Sequence, residues 1–358
     1  MKTLLFTLEY EPFKGGVANY YKNLVINWPE PDNISVLYKN YLGRRLKHLF
    51  YLRDLYREYR RSKFDYILVG QLMPLGSVVY LFAKIFKVKY AVFIHGMEIS
   101  PYLAGGKKAA LVQKILRQAD KIITPNNFTA ELIKKVLINN LEKIVVVSPG
   151  ISGRPEVNKA RVAQLKEQYG VDGKKVVLSL GRLVKRKGFD TVLESLETMT
   201  LAELEKVMYV VAGAGPDSYY MQSLFLKYPR LKEHVLFLSE ISDDDKWSWL
   251  DLCDIFVMPA RNIAGDFEGF GIVYLEANLS HKAVIAGRAG GVPDAVVDGL
   301  NGILVDPENR EELKVKILEL LSDVKLRHEL AERGYERVIK DFKWSDKITQ
   351  IYKAVNFK

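Results

Sequence analysis

The chain has 358 residues, a length that suggests two domains of ordinary size. Hydrophobic residues make up 48% and charged residues 27%, which is typical of a soluble globular protein. The single cysteine, Cys253, lies in an apolar run. It is therefore expected in the core, no disulfide can form within the chain, and a reducing compartment is expected.

Charge is unevenly distributed along the chain. The net charge is +10, and residues 1–150 carry all of this excess, with 23 Lys and Arg against 11 Asp and Glu. The remaining residues hold 30 basic and 32 acidic side chains. A basic first half indicates an anionic partner, because summed surface charge affects association rather than fold.

Neither a secretory signal nor a membrane span is expected. Only a short apolar run follows Lys2 before Glu9 appears. The most apolar stretch, residues 66–83, is interrupted by Gln71 and Pro74, so a strand followed by a buried helix explains it better than a span. We therefore expect a cytoplasmic protein, at most peripheral at the inner face of the cell membrane.

The first predicted strand, residues 3–8, leads through a glycine pair into an apolar helix. Gly15 and Gly16 would let the backbone approach a phosphate closely, since glycine has no Cβ. A plain turn explains the same pair, and the local sequence by itself favours that simpler interpretation.

Residues 38–63 contain nine Lys and Arg and two Asp and Glu. Leucines and tyrosines recur through this stretch at helical spacing, which predicts a basic amphipathic helix with a start near Gly43. Two interpretations have equal weight. The helix packs its leucine face on the sheet with its basic face solvated, or it binds an acidic membrane surface or an anionic acceptor.

Four further strands are predicted in the first half, and helical stretches separate them. They are residues 66–69, 89–94, 121–124 and 143–147. This alternation predicts a parallel sheet with helices on both faces. His95 follows the second of these strands, at the end where open α/β sheets bind ligands, although a lone histidine is usually structural.

A stretch rich in Gly, Pro and Ser at residues 148–155 predicts a linker. It separates a domain at 1–150 from a domain at 151–340, and a last helix is predicted over 341–358. The second domain repeats the α/β pattern. Its strands are predicted to start at residue 175 and to cover residues 207–212, 235–238, 254–258, 283–286 and 303–305. The fold class is therefore α/β, with two parallel sheets.

Residues 268–276, Glu-Gly-Phe-Gly-Ile-Val-Tyr-Leu-Glu, place two glutamates eight positions apart around a Gly-Phe-Gly turn that begins a helix. Unpaired backbone N–H groups at such a helix start form a phosphate site. These groups belong to Gly271, Ile272 and Val273. Glu268 would reach a group attached to that phosphate, and Glu276 would accept hydrogen bonds from a diol such as ribose. The pattern predicts a nucleotide diphosphate that carries a hydroxyl-rich group.

This stretch resembles the donor-sugar motif of the retaining glycosyltransferases of family 4. Residues 287–305, which begin Gly-Arg-Ala-Gly-Gly-Val-Pro-Asp, are similar to the continuation of that motif, and the resemblance extends over nearly the whole chain. Residues 258–276 are most similar to bacterial mannosyltransferases that modify phosphatidylinositol lipids. The resemblance implies a GT-B fold, in which two Rossmann-like domains face a cleft and the C-terminal helix crosses back to the first domain.

The resemblance also implies a role for residues 181–188, Gly-Arg-Leu-Val-Lys-Arg-Lys-Gly, which alone would be a solvated basic loop. Arg182 and Lys187 match the basic pair that holds the donor diphosphate in this family. Cations are needed because negative charge builds up on the leaving oxygen when the bond between sugar and diphosphate breaks. Lys185 and Arg186 are expected to be exposed charges.

Glu268 is expected to bind a donor-sugar hydroxyl and to help stabilise positive charge at the anomeric centre. The family often has a histidine near the donor sugar at the position of His95, and it uses the first glycine loop at the cleft. The candidate catalytic residues are Glu268 and His95. The candidate donor-binding residues are Gly15, Gly16, Arg182, Lys187, Gly271, Ile272, Val273 and Glu276.

The implied reaction moves a hexose, with retention, from GDP-mannose or a UDP-sugar to a hydroxyl of a membrane lipid or a growing cell-surface glycan. No metal ion or other obligatory cofactor is expected, because the acidic run Asp243–Asp245 follows Ser242 as a capped helix start does. No nucleic-acid motif is present. The alternatives are a non-catalytic basic protein that binds membrane or nucleic acid on the same scaffold, and a related phosphorylase or nucleotide-sugar epimerase.

Overall fold

The computed structural model describes residues 1–13 and 15–356. Its contacts divide the chain into two compact units. The N-terminal unit comprises Met1–Gly150 and the segment that begins at Lys343, and the C-terminal unit comprises Ile151–Phe342. Among the described residues, no helix has the length and apolarity needed to cross a bilayer.

The N-terminal unit contains a six-stranded sheet in the order β2-β1-β3-β4-β5-β6, in which every pair is parallel. The strands are β1 Thr3–Thr7, β2 Ile34–Tyr38, β3 Tyr66–Val69, β4 Lys89–Phe93, β5 Lys121–Thr124 and β6 Ile144–Val146. Every residue of β1 and β3 is buried, as expected for a parallel sheet covered on both faces.

The described residues of this unit form six α-helices. They are α1 Gly16–Ile26, α2 Lys47–Ser62, α3 Leu75–Phe86, α4 Lys107–Gln118, α5 Asn127–Leu137 and the last helix of the chain, α15 Trp344–Asn356. The ring of Trp344 lies 5.4 Å from that of Tyr20, and a Cβ at Gly150 would lie 2.7 Å from the Trp344 Cα. The last helix is thus packed into the core of the N-terminal unit, and residues 357–358 of the predicted helix lie outside the described part.

The structure corrects the prediction for residues 38–63. Residues 34–38 form the unpredicted edge strand β2, and α2 begins only at Lys47. The backbone turns at Gly43, where φ is +86°. Tyr41 then docks on α2, because its N–H is donated to the Tyr51 hydroxyl at 2.9 Å and its own hydroxyl is donated to Asp54 at 2.6 Å.

The first three leucines of this stretch face solvent. Leu42, Leu46 and Leu49 are 54%, 56% and 60% exposed, whereas Tyr51 and Leu55 are fully buried. The interpretation that the leucine face packs on the sheet is therefore wrong for the first three leucines. Helical spacing identified an apolar stripe, but it could not show that the chain before Lys47 is not helical.

The C-terminal unit contains a second six-stranded parallel sheet, in the order β12-β11-β10-β7-β8-β9. The strands are β7 Lys175–Leu180, β8 Val207–Ala212, β9 Val235–Leu238, β10 Ile255–Met258, β11 Ala283–Gly287 and β12 Ile303–Val305. Counted within the unit, this is the order of the dinucleotide-binding fold. The prediction of two parallel α/β sheets is confirmed.

The helices of this unit flank the strands. They are α6 Lys159–Tyr169, α7 Phe189–Glu197, α8 Leu201–Leu204, α9 Ser218–Phe225, α10 Asp243–Leu252, α11 Ile272–Leu279, α12 Val292–Ala295, α13 Arg310–Ser322 and α14 Val324–Asp341. Cys253, which precedes β10, is buried as predicted, and burial raises the pKa of its thiol to about 12.

Each sheet has a point where the strand order reverses. It lies between β7 and β10 in the C-terminal unit, and between β1 and β3 in the N-terminal unit. In open α/β sheets, ligands bind in the crevice that forms beyond the strand ends at this switch point. The loops after these four strands are therefore where the fold predicts ligand binding.

Candidate active site

The helix start predicted to hold a phosphate is present. Helix α11 begins after Gly271, whose φ is +81°, and a Cβ there would lie 2.3 Å from the ring of Tyr274. Only glycine fits this position. The first N–H groups of the helix, which include those of Ile272 and Val273, have no intrahelical acceptor. Unpaired N–H groups at a helix start of this kind can bind an anion.

The loop after β7 lies against the loop after β10. A Cβ at Gly181 would lie 2.4 Å from the Lys187 Nζ, so this ammonium group lies directly over the end of β7. Gly188 has a φ of +74°, and a Cβ there would lie 2.2 Å from the carbonyl oxygen of Pro259. At Gly188 the two loops of the switch point therefore meet without room for a side chain.

Glu268 is held by cations. The Arg186 Nη1 donates to Oε2 of Glu268 at 2.5 Å, and the Lys187 Nζ lies 4.0 Å from the same oxygen. The Nε of Arg186 also lies 3.0 Å from Oδ1 of Asp266, outside hydrogen-bond geometry. The side chains of Arg186, Lys187 and Glu268 are only 11–13% exposed. The prediction that Arg186 is an exposed charge is wrong.

The 3₁₀ turn Lys185–Lys187 explains this error. Consecutive side chains of such a turn point in directions about 120° apart, since it has three residues per turn. Lys185 is exposed and lies 4.2 Å from the ring centroid of Tyr220, whereas Arg186 and Lys187 point inward. A run of three basic residues does not reveal which of them faces the site.

The environment of Lys187 favours an anionic ligand. Burial lowers the pKa of its ammonium group, Glu268 and Glu276 oppose this, and Arg186 and Arg182 reinforce it. These four side chains therefore all lie within electrostatic range of Lys187. An incoming diphosphate would compensate the buried positive charge.

Glu276 is also paired. Its Oε1 accepts a hydrogen bond of 2.9 Å from the Nζ of Lys246, which lies 3.3 Å from Asp243 as well. Burial by itself would lower the pKa of Lys246, but its bonds to Glu276 and Asp243 raise it. Ser242 caps α10, as predicted, by accepting the N–H of Asp245. Lys246 was not a predicted site residue, because one lysine on a solvated helix gives no local signal.

A cavity of about 370 Å³ adjoins this cluster. Its lining includes Gly181, Arg182, Gly213, Ile241 and Lys246. Larger cavities open elsewhere, including one of about 650 Å³ beside Arg154 and His281, but they contain no residue of the cluster. The cavity of about 370 Å³ lies beyond the ends of β7, β8 and β9, and its lining joins the β7 loop to Lys246.

The other candidates lie in the N-terminal unit. His95 follows β4, its Nε2 lies 2.7 Å from the Tyr21 hydroxyl, and burial lowers its pKa to about 4. Gly15 has an extended backbone that any residue can adopt, and a Cβ at Gly16 would meet nothing within 4 Å. The backbone conformation therefore does not require glycine at position 15 or at position 16.

Within residues 1–13 and 15–356, no group of three or more His, Cys, Asp or Glu side chains is arranged to hold a metal ion.

Two family models match this chain. The family model "Glycosyltransferase Family 4" matches residues 15–152, and "Glycosyl transferases group 1" matches residues 161–337. The second match contains the loops after β7 and β10. The chain belongs to the glycosyltransferases that these two models describe, and it uses a nucleotide-sugar donor.

Two curated relatives and one solved structure are similar over nearly the full length. A mannosyltransferase of Mycolicibacterium smegmatis, described as GDP-mannose-dependent and acting on phosphatidylinositol monomannoside, is 25% identical over 95% of this chain and 94% of its own. A related Corynebacterium glutamicum enzyme, named for the monoacylated monomannoside, is 25% identical over 99% of this chain and 98% of its own. The Anabaena protein HepE, solved with UDP and glucose, matches with a TM-score of 0.80 at 19% identity over 100% of both chains.

Proposed function

We propose that this protein is a retaining hexosyltransferase that moves a sugar from GDP-mannose or a UDP-sugar to a hydroxyl of a membrane lipid or a growing glycan. The observation that carries the proposal is the cluster beside the C-terminal switch point, where Arg182, Glu268 and Glu276 lie within electrostatic range of the buried ammonium group of Lys187. A protein that only bound a partner would not need this arrangement of paired charges.

The cluster suggests a division of roles. Arg182 and Lys187 hold the diphosphate, together with the N–H groups of Gly271, Ile272 and Val273. Glu276 binds the ribose beside the cavity. Charge that develops on the leaving phosphate is stabilised by groups already in place, so no reorganisation is needed during the reaction.

Glu268 faces the sugar in this proposal. Its carboxylate binds a sugar hydroxyl and stabilises positive charge at the anomeric carbon. No residue is assigned as a covalent nucleophile, so the acceptor attacks from the face that the diphosphate leaves, and the leaving phosphate takes the acceptor's proton. His95 and the loop of Gly15 and Gly16 are assigned to the sugar and the acceptor.

The basic stretch at residues 38–63 is assigned to binding an anionic lipid surface that carries the acceptor. Leu42, Leu46 and Leu49 are exposed in a stretch with nine basic residues, and α3, which packs on α2, exposes Leu81 and Ile85 at 48% and 61%. Leucine side chains would enter the acyl boundary while arginines and lysines meet anionic head groups. The two lipid-modifying relatives support this assignment.

A thermal-shift panel tests the donor. GDP-mannose, UDP-glucose, UDP-galactose and the bare nucleotides GDP and UDP are added to the full chain. A true donor at about 100 times its Kd stabilises the folded state by about 2.7 kcal/mol. Release of nucleotide diphosphate is then measured with and without phosphatidylinositol-containing lipid. If no nucleotide sugar stabilises the protein, the proposed donor class is wrong.

A further inference from the structure

Tyr21 of α1 connects two strand ends of the N-terminal unit. Its buried hydroxyl donates a hydrogen bond to the carbonyl oxygen of Gly70, directly after β3, and lies 2.7 Å from the Nε2 of His95, beyond β4. Gly70 is itself rigidly held. Its N–H is donated to Phe6, and a Cβ there would lie 2.7 Å from the Thr7 hydroxyl.

Counting protons assigns the histidine tautomer. A phenol has one proton, and a carbonyl oxygen can only accept. Because the Tyr21 proton is directed at Gly70, the same oxygen can only accept from His95. The Nε2 of His95 therefore carries a proton, and in a neutral ring Nδ1 then has a free lone pair.

The surroundings keep the ring neutral. Burial lowers the pKa of His95 to about 4. Tyr20 and Tyr21 pack edge-on against the ring, with centroids at 5.2 and 5.4 Å. The nearby carboxylates are Glu98, which accepts the backbone N–H of His95 at 2.8 Å, and Glu9, which interacts electrostatically with Glu98.

The second ring nitrogen is available to a ligand. Nδ1 of His95 has no hydrogen-bond partner among the described residues. It is also not one of the fully buried polar atoms that lack a partner in the described part of the chain. The side chain as a whole is half-buried.

We propose that Tyr21 is a positioning residue that holds His95 as the Nε2–H tautomer, so that Nδ1 accepts a hydrogen bond from a substrate hydroxyl. This inference rests on the proposed function, since a sugar offers hydroxyl donors at this position. A carboxylate or phosphate oxygen would face a lone pair there and would be rejected. Tyr21 thus selects a neutral polyol group as the partner of His95.

The tautomer can be measured without substrate. The chain has five histidines, so the ¹⁵N spectrum of protein labelled at histidine is simple, and His95→Gln assigns the resonances. We expect a protonated Nε2 and an unprotonated Nδ1 at neutral pH. Tyr21→Phe should give a mixture of both tautomers. Tyr20→Phe is the matched control, because Tyr20 packs on the same ring without a hydrogen bond to it among the described residues, and it should keep the wild-type pattern.

Function gives a second readout. Tyr21→Phe should lower kcat/KM about tenfold, through the loss of one oriented hydrogen bond, while Tyr20→Phe should stay within about twofold of the wild type. A donor nucleotide sugar should shift the Nδ1 resonance of His95, and the bare nucleotide should not.

Three results would overturn the inference. They are a protonated Nδ1 in the free wild-type protein, an unchanged tautomer in Tyr21→Phe, and an Nδ1 resonance that a bound nucleotide sugar leaves in place. If no nucleotide sugar binds at all, the proposed function fails and the role of Nδ1 fails with it. The tautomer measurement would still decide what Tyr21 does to the ring.

Discussion

The two units build the same kind of parallel sheet but distribute charge in opposite ways. Residues from 151 onward are nearly neutral overall, yet they gather Arg182, Arg186, Lys187 and Lys246 with carboxylates beside the β7–β10 switch point. Residues 1–150 are strongly basic, yet much of that excess lies on exposed positions of α2 and the chain before it.

The described groups at the N-terminal switch point are of a different kind. Tyr21, a neutral His95 and the carbonyl of Gly70 form a hydrogen-bonded chain there. The comparison teaches that the net charge of a domain does not locate its chemistry. A surface excess acts over a distance on an anionic partner, whereas a few half-buried pairs act on one ligand, because screening is weak where water is excluded.

The largest effect is expected where a buried cation meets the diphosphate. Lys187→Ala should lower kcat by about 10²–10³-fold, as loss of one charge-stabilising donor does in other enzymes, with little change in Tm. Lys185→Ala is the matched control, since Lys185 is two residues away and exposed. Steady-state kinetics and thermal melts compare the two. Equal losses of activity in both variants would remove the distinction between buried and exposed charge.

Arg186 should matter next. Arg186→Ala leaves Lys187 as the nearest described cation to Glu268, so the ammonium group is drawn away from the diphosphate. Turnover should fall about 10- to 100-fold.

Arg186→Lys serves as the control for this prediction, since it keeps the charge but loses the planar fork and should recover part of the activity. Steady-state kinetics compare these variants with the wild type, and an unchanged turnover in Arg186→Ala would mean that the guanidinium does not position Glu268.

Substitution of Glu276 and of Glu268 should have different effects on the affinity for the bare nucleotide. Glu276→Ala should weaken the affinity for the bare nucleotide about tenfold, because the ribose loses a charged acceptor. Glu268→Ala should leave that affinity within about twofold while transfer is impaired. Isothermal calorimetry with GDP and UDP measures the first effect, and a transfer assay measures the second. Identical affinities for both variants would contradict the assigned roles.

The smallest effect is expected on the basic surface of the N-terminal unit. Leu46→Asp combined with Leu49→Asp should lower binding to vesicles of phosphatidylglycerol and phosphatidylcholine roughly fivefold, because two apolar contacts become like-charge repulsions. Leu201→Asp with Leu226→Asp is the control, since these leucines of the C-terminal unit are 64% and 79% exposed. Cosedimentation measures binding. If both double variants bind equally, the leucines do not contact lipid.

Errors of prediction fall where a property depends on partners distant in sequence. Strand β2 was missed because it is an edge strand whose residues are mostly half-buried, so it lacks the uninterrupted buried apolar run that identified the shorter strand β3. Arg186 was assigned to solvent because its partners, Asp266 and Glu268, are about 80 positions away. Lys246 and Tyr21 gave no signal for the same reason. Each acts through a side chain or carbonyl that only the folded sheet brings near.

The amino-acid order by itself determined the alternating strands and helices, the parallel sheets, and the helix that starts at Gly271. These features follow from local properties: apolar runs, glycine backbone freedom, and N–H groups unpaired at a helix end. The tertiary structure alone decided which charges are buried, which oxygen each cation holds, and which nitrogen of His95 carries a proton. Those properties depend on distances of a few ångströms between residues far apart in the chain, and no pattern in a linear sequence encodes such distances.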